Sequence, residues 1–106
     1  MLSMNIEQDI SVRIAALFGA LGHPTRVLII KEISEEPLKV MTIAKRLEIA
    51  QSSASQHLAV LVRVGLVTVR PIGTSHFYSI RGPRVAKLLE TMNEFCEVHG
   101  LTGLPD

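Results

Sequence analysis

Residues 50–67 read AQSSASQHLAVLVRVGLV, polar at the front and apolar behind. Set on a helical wheel, Ala54, Leu58, Leu61 and Gly65 share one face. Gln51, Ser52, Ser53, Ser55 and Gln56 lie outside it, near the N-terminal end. Those side chains suit hydrogen bonding to base edges. Glutamine can bond N6 and N7 of adenine together, and serine can donate or accept. Small hydroxyls also let a helix sit deep in a major groove about 12 Å wide. The same helix end offers free N–H groups and a partial positive charge, both matched to phosphate. His57 adjoins this face, where titration against phosphate and a structural hydrogen bond are both open to it. A solvated surface helix has a similar composition, so the neighbouring elements decide between the two readings.

Ile6, Ile10, Ile14, Leu17, Phe18 and Leu21 step by three or four and predict a helix over residues 5–21. Gly22-His23-Pro24 ends it. Pro24 suits the first position of a second helix, carried by Val27, Leu28, Ile30 and Ile33 to about Glu35. Glu36-Pro37 breaks that helix. A short helix follows, with Met41, Ile43, Ala44 and Leu47 inward and Lys39, Lys45 and Arg46 outward. Glu48-Ile49-Ala50 connects it to the helix Gln51–Val64, which Gly65 closes. Residues 66–70 and 76–80 read as strands joined by a turn over 71–75. Gly82-Pro83 opens the last helix, striped by Val85, Leu88, Leu89, Met92, Phe95, Cys96 and His99. The tail, 101–106, is expected to be loose. The order is α-α-α-α-β-β-α, mainly helical with one hairpin: a helix-turn-helix followed by a wing. Arg70 and Arg81 at the hairpin ends, with Thr74 and His76 near its turn, are placed to reach phosphate or minor groove.

Charge supports this reading. The chain of 106 residues carries a net charge of only +1. Residues 37–81, however, hold Lys39, Lys45, Arg46, Arg63, Arg70 and Arg81 against Glu48 alone, a net +5. Residues 1–36 and 82–106 are each at −2. An anionic partner for the middle is implied, chance clustering being the plain alternative. The length predicts one domain, 1–106. The one cysteine, Cys96, rules out an intrachain disulfide framework and fits a reducing compartment, so the cytoplasm is expected. No membrane span is expected, and the acidic N-terminus does not resemble a signal peptide. No Ser-His-Asp layout, phosphate-cradling glycine loop or ligand cluster is found, so no enzyme and no cofactor are expected.

Two apolar stripes remain, one at each end of the chain. Ile6, Ile10 and Leu17 mark the first; Leu88, Met92 and Phe95 mark the second. A core this small cannot take both, which predicts a homodimer.

The segments ALGHPTRVLII (20–30), TIAKRLEIAQSSASQHLAVLVRVGLV (42–67) and HFYSI (76–80) resemble the ArsR/SmtB family of winged-helix repressors. The resemblance runs from about Leu17 to Phe95. It implies a homodimer through the first and last helices, binding to double-stranded DNA at an imperfect inverted repeat, and release by an inducer. It places Ser52, Ser53, Ser55, Gln56 and His57 on the recognition helix. There are departures. Many relatives carry Arg where this chain has Gln56, and basic residues near Ala59 and Val62. Ala50 stands where a capping Ser or Asp is usual, at a cost of about 1 kcal/mol, unless Ser52 or Ser53 caps a later start.

The family's thiolate metal site falls here on Lys39 and Met41, and its zinc site on Gly82, Arg84, Phe95 and Val98. None of these makes such a site, so no familiar metal site is expected. The family's cysteine pair is reduced to Cys96, a packing residue or a reactive thiol. Glu97 and His99 leave room for a metal site of new design. A small-molecule signal, a thiol-reactive signal or no inducer are the other readings. Arg26 is expected to hold an ion pair or a phosphate. The alternative to DNA binding is a winged-helix module that binds protein and leaves its polar helix face unused.

Overall fold

The computed structural model describes residues 5–101. Helix α1 (Ile6–Leu21) starts on a capping box: the Asn5 side chain accepts the Gln8 amide at 2.9 Å, and Gln8 Oε1 accepts the Asn5 amide at 3.0 Å. Helix α2 (Pro24–Glu35) takes Pro24 at its first turn and lies at 92° to α1. Helix α3 (Val40–Leu47) follows, and Glu48 ends it in the left-handed region, φ 55° and ψ 45°. Helix α4 (Gln51–Val64) starts directly after Ala50, with no side-chain cap; neither serine caps a later start. Gly65, at φ 89°, closes α4 with its amide on the Leu61 and Val62 carbonyls.

Strands β1 (Val67–Ile72) and β2 (Ser75–Ile80) are longer than the sequence implied. Their turn shrinks to Gly73-Thr74, with Gly73 at φ 63°. Positive φ at the first of two turn residues matches the right-handed twist of the flanking strands. Pro71 was expected to end β1 and does not. Tyr78 exchanges both backbone bonds with Leu38, so the Val69–Tyr78 pair makes none across the hairpin. Pro71, two residues on, therefore points its nitrogen at the free edge, where no donor is needed. Helix α5 (Pro83–Val98) completes the order α-α-α-α-β-β-α.

The core lies where α2, α3, α4 and the hairpin base meet. Ile29, Ile30, Ile33, Ile43, Leu58, Leu61 and Val67 are its fully buried side chains. Each contributes about 1.5–3 kcal/mol by leaving water. No buried polar or charged residue occurs among the described residues. Two expected inward residues turn out. Leu28 is exposed while Ile29 beside it is buried, and Met41 is exposed because α3, two turns long, offers the core only Ile43 and Ala44 fully. Lys39 is the N-cap of α3 rather than part of its outer face. The loose tail was expected over residues that, from 102 on, lie outside those described.

Helices α1 and α5 touch this core along one edge only, through Leu17, Ala20 and Leu21 of α1 and Val85 and Leu89 of α5. Ala20 is the one buried residue of α1, and α5 has none. Ile6 is 78% exposed, Met92 46% and Phe95 51%, whereas Leu17 and Leu88 are half-buried.

Candidate nucleic-acid interface

The left-handed turn at Glu48 lets α3 and α4 meet across three residues. Its amide bonds back to Ala44 and Lys45, and the Ile49 amide to Ala44. Ala54, Leu58 and Leu61 anchor α4 in the core. Gln51, Ser52, Ser55 and Gln56 are exposed together on the opposite side, and Ser53 is half-buried at its margin. The first amide of α4 to find a carbonyl is that of Ala54, on Ala50. Uncapped, the amides of Gln51, Ser52 and Ser53 stay open to solvent or to an anion.

The cations around this helix are not equivalent. Lys45 is exposed and has no carboxylate within 4 Å among the described residues. Arg46 is held by α2, 3.3 Å from Glu32 and 3.5 Å from Glu36. On the wing, Arg70 pairs with Phe77 across the strands, so the two side chains share a face. The Lys39 ammonium lies 5.7 Å from the Phe77 ring centroid, over its negative face. Lys39 thus joins Arg70 at the wing, a grouping that sequence spacing did not reveal. Thr74 is exposed in the turn and His76 is exposed opposite Pro71. Arg81 instead sits at the hairpin base, its amide on Leu66 and its side chain against Gly65.

His57 departs from the outward set. It is half-buried, and its ring lies 4.4 Å from that of His23, centroid to centroid. Burial lowers its pKa from the ordinary 6.5, and the charges of His23 and Arg26 lower it further. Arg26 holds neither the ion pair nor the free position expected of it. Its Nη1 donates to the Ala20 carbonyl at 3.0 Å, and no carboxylate lies within 4 Å of it among the described residues. The chain turns through 92° between α1 and α2, which brings the guanidinium onto the end of α1.

At the far end, Cys96 is half-buried beside a cavity of about 400 Å³ between α1, α2 and α5. His99 packs on Phe95 at 4.5 Å, and Glu97 accepts a bond from Asn93 at 3.1 Å. The structure does not bring Cys96, Glu97 and His99 together as a ligand set: no group of three or more His, Cys, Asp or Glu suited to a metal occurs among the described residues.

The profile of the bacterial regulatory protein family arsR matches residues 23–69, the span from α2 into β1. An HTH-type transcriptional regulator of Methanocaldococcus jannaschii is 36% identical over 81 residues, covering 76% of this chain and 91% of that protein. The transcriptional activator HlyU of Vibrio cholerae is 31% identical over 90 residues, covering 84% and 83%. The solved structure of reduced HlyU superposes with a TM-score of 0.74 at 29% identity, over 87% of this chain and 97% of the other. NolR of Sinorhizobium fredii gives 0.76 at 28%, over 90% and 96%. By these matches over most of its length, the chain belongs to the ArsR family of winged helix-turn-helix DNA-binding transcriptional regulators.

Proposed function

We propose that the protein is a cytoplasmic homodimeric repressor that binds double-stranded DNA at an imperfect inverted repeat. The observation that carries this is α4. Its exposed Gln51, Ser52, Ser55 and Gln56 surround an uncapped helix start, with Lys45 on one side and the wing on the other. Ser53 completes the set on its half-buried margin, while the neighbouring His57 turns to His23. In this reading α4 enters the major groove, and Gln56 with the serines reads base edges. Lys45, Arg70, Thr74 and His76, joined by Lys39, meet the backbone or the minor groove.

The dimer would bury the stripes of α1 and α5: Ile6, Ile10, Met92 and Phe95, which the folded chain leaves exposed, and Leu17 and Leu88, which it covers only in part. A two-fold partner presents a second α4 in opposite orientation, which an inverted repeat matches. The whole chain, 1–106, acts as one unit. Release comes from a small-molecule or thiol-reactive signal, or does not occur. Repression follows from occupying promoter DNA.

The test is a mobility shift on the DNA upstream of the gene, in a salt series, with Gln56→Ala alongside. Affinity should fall steeply with salt, as phosphate neutralisation requires. The variant should lose about 1–3 kcal/mol on the operator and little on random DNA. A reporter under that promoter should rise when the gene is deleted; a fall would make the protein an activator. Absence of any salt-dependent shift would favour the protein-binding module.

A further inference from the structure

Three nitrogen-bearing side chains meet where α4 leans on the corner between α1 and α2. His23 is the N-cap of α2, and its Nδ1 accepts the Thr25 amide hydrogen at 3.2 Å. That bond uses the lone pair of a bare Nδ1. His57 of α4 lays its ring on that of His23 at 4.4 Å, tilted by 52°. Arg26 ties the same corner to α1 through the Ala20 carbonyl, and its Nε is buried without a partner. A charge on His23 or Arg26 opposes a proton on His57, and no carboxylate lies within 4 Å of any of the three among the described residues. The joint between the recognition helix and the rest of the fold therefore holds one fixed cation and two rings, with no acid to balance them.

We propose that the His23–His57 pair is a proton-operated joint: proton uptake separates the rings, tilts α4 off the α1–α2 corner and lowers affinity for DNA. A proton on His23 abolishes its acceptor, leaves the Thr25 amide unpaired and sets a cation on the positive end of α2. A proton on His57 sets a like charge against that ring and Arg26. DNA phosphate would act with the opposite sign on an imidazole that faced it. His57 faces His23 instead, so the local repulsion prevails. The lowered pKa of His57 fits this geometry. Arg26 extends the connection to α1, so the joint links the recognition helix to a helix of the proposed dimer face.

The proposal rests on the DNA-binding reading, and its test separates the two. His23→Asn keeps a strong N-cap acceptor for Thr25 and removes the titrating ring. Affinity of both proteins for the upstream DNA is measured from about pH 8 to about pH 5.5 at constant ionic strength, across the histidine range. Helical circular dichroism is followed in parallel, and the histidine ring resonances of the free proteins by NMR. The wild type should lose about tenfold in affinity or more on acidification, roughly 1.4 kcal/mol. His23→Asn should stay nearly flat, and the His57 midpoint should rise in it. Parallel pH profiles, tighter binding in acid, a loss that merely tracks unfolding, or an unchanged His57 midpoint each overturn the joint. Failure of both proteins to bind at the alkaline end overturns the DNA reading itself, and with it the effect on affinity.

Discussion

Arg46 reaches from α3 to α2, where its Nη1 lies 3.3 Å from Oε2 of Glu32 and its Nη2 lies 3.5 Å from Glu36. The neighbouring Lys45 has no such partner among the described residues. Adjacent cations on one short helix therefore differ in what they can offer a phosphate. Lys45→Ala should weaken binding to every DNA sequence and reduce the salt slope by about one. Arg46→Ala should change that slope less and instead lower stability by about 0.2–1 kcal/mol, since both pairs are solvent-exposed. Salt-series titrations and urea unfolding of the two variants check this. Equal effects on the slope would show that Arg46 leaves its carboxylates to meet DNA.

Glu48 is the one non-glycine residue with positive φ among those described, and it is the sole acid of the basic middle. A left-handed residue with a Cβ costs about 1 kcal/mol relative to glycine. Glu48→Gly should therefore stabilise the fold by roughly 0.5 kcal/mol or less, once the entropy glycine adds to the unfolded chain is subtracted. It should also tighten binding to all DNA modestly, by removing a negative charge beside α4. Urea denaturation with mobility shifts measures both effects. A destabilised variant would mean that the Glu48 side chain makes a contact worth more than the strain.

Met92 is close to half-exposed on α5, so a charge there is tolerable in a lone chain and intolerable in an apolar interface. Met92→Asp should leave the helical circular dichroism intact. It should convert a micromolar dimer to monomer in sedimentation, because an unpaired buried carboxylate costs about 3–5 kcal/mol. Operator binding should disappear with the dimer. A variant that still sediments as a dimer would move the interface away from α5.

His57 makes the fold weaker in acid. Its pKa is lowered in the folded chain by burial, then by His23, then by Arg26. The unfolded chain, at the ordinary 6.5, takes up the proton first. Its contribution is therefore complete above 6.5 and is lost as the pH falls below that toward the lowered folded value. Urea midpoints measured across this window should decline for the wild type and decline less for His57→Gln. A midpoint that rose on acidification would require a carboxylate partner absent from the described geometry.

The starts of α1, α2, α4 and α5 were legible in the sequence to within a residue, because local rules govern them. Pro24 and Pro83 supply helix starts, Gly65 a left-handed stop, and three-and-four stepping marks the faces. The polar face of α4 was legible for the same reason. The strands were read short because Pro71 reads as a breaker until the ladder shows which way its nitrogen points. Only the tertiary structure decided the pairings between distant elements. His23 meets His57, Arg26 meets Ala20, Arg46 meets Glu32, and Lys39 meets Phe77 because α1 and α2 cross at 92° and the hairpin folds back on Leu38. Periodicity fixes which side of an element is apolar. It carries no information on which polar side chains face one another once those sides have packed, since that depends on crossing angles set by the whole core.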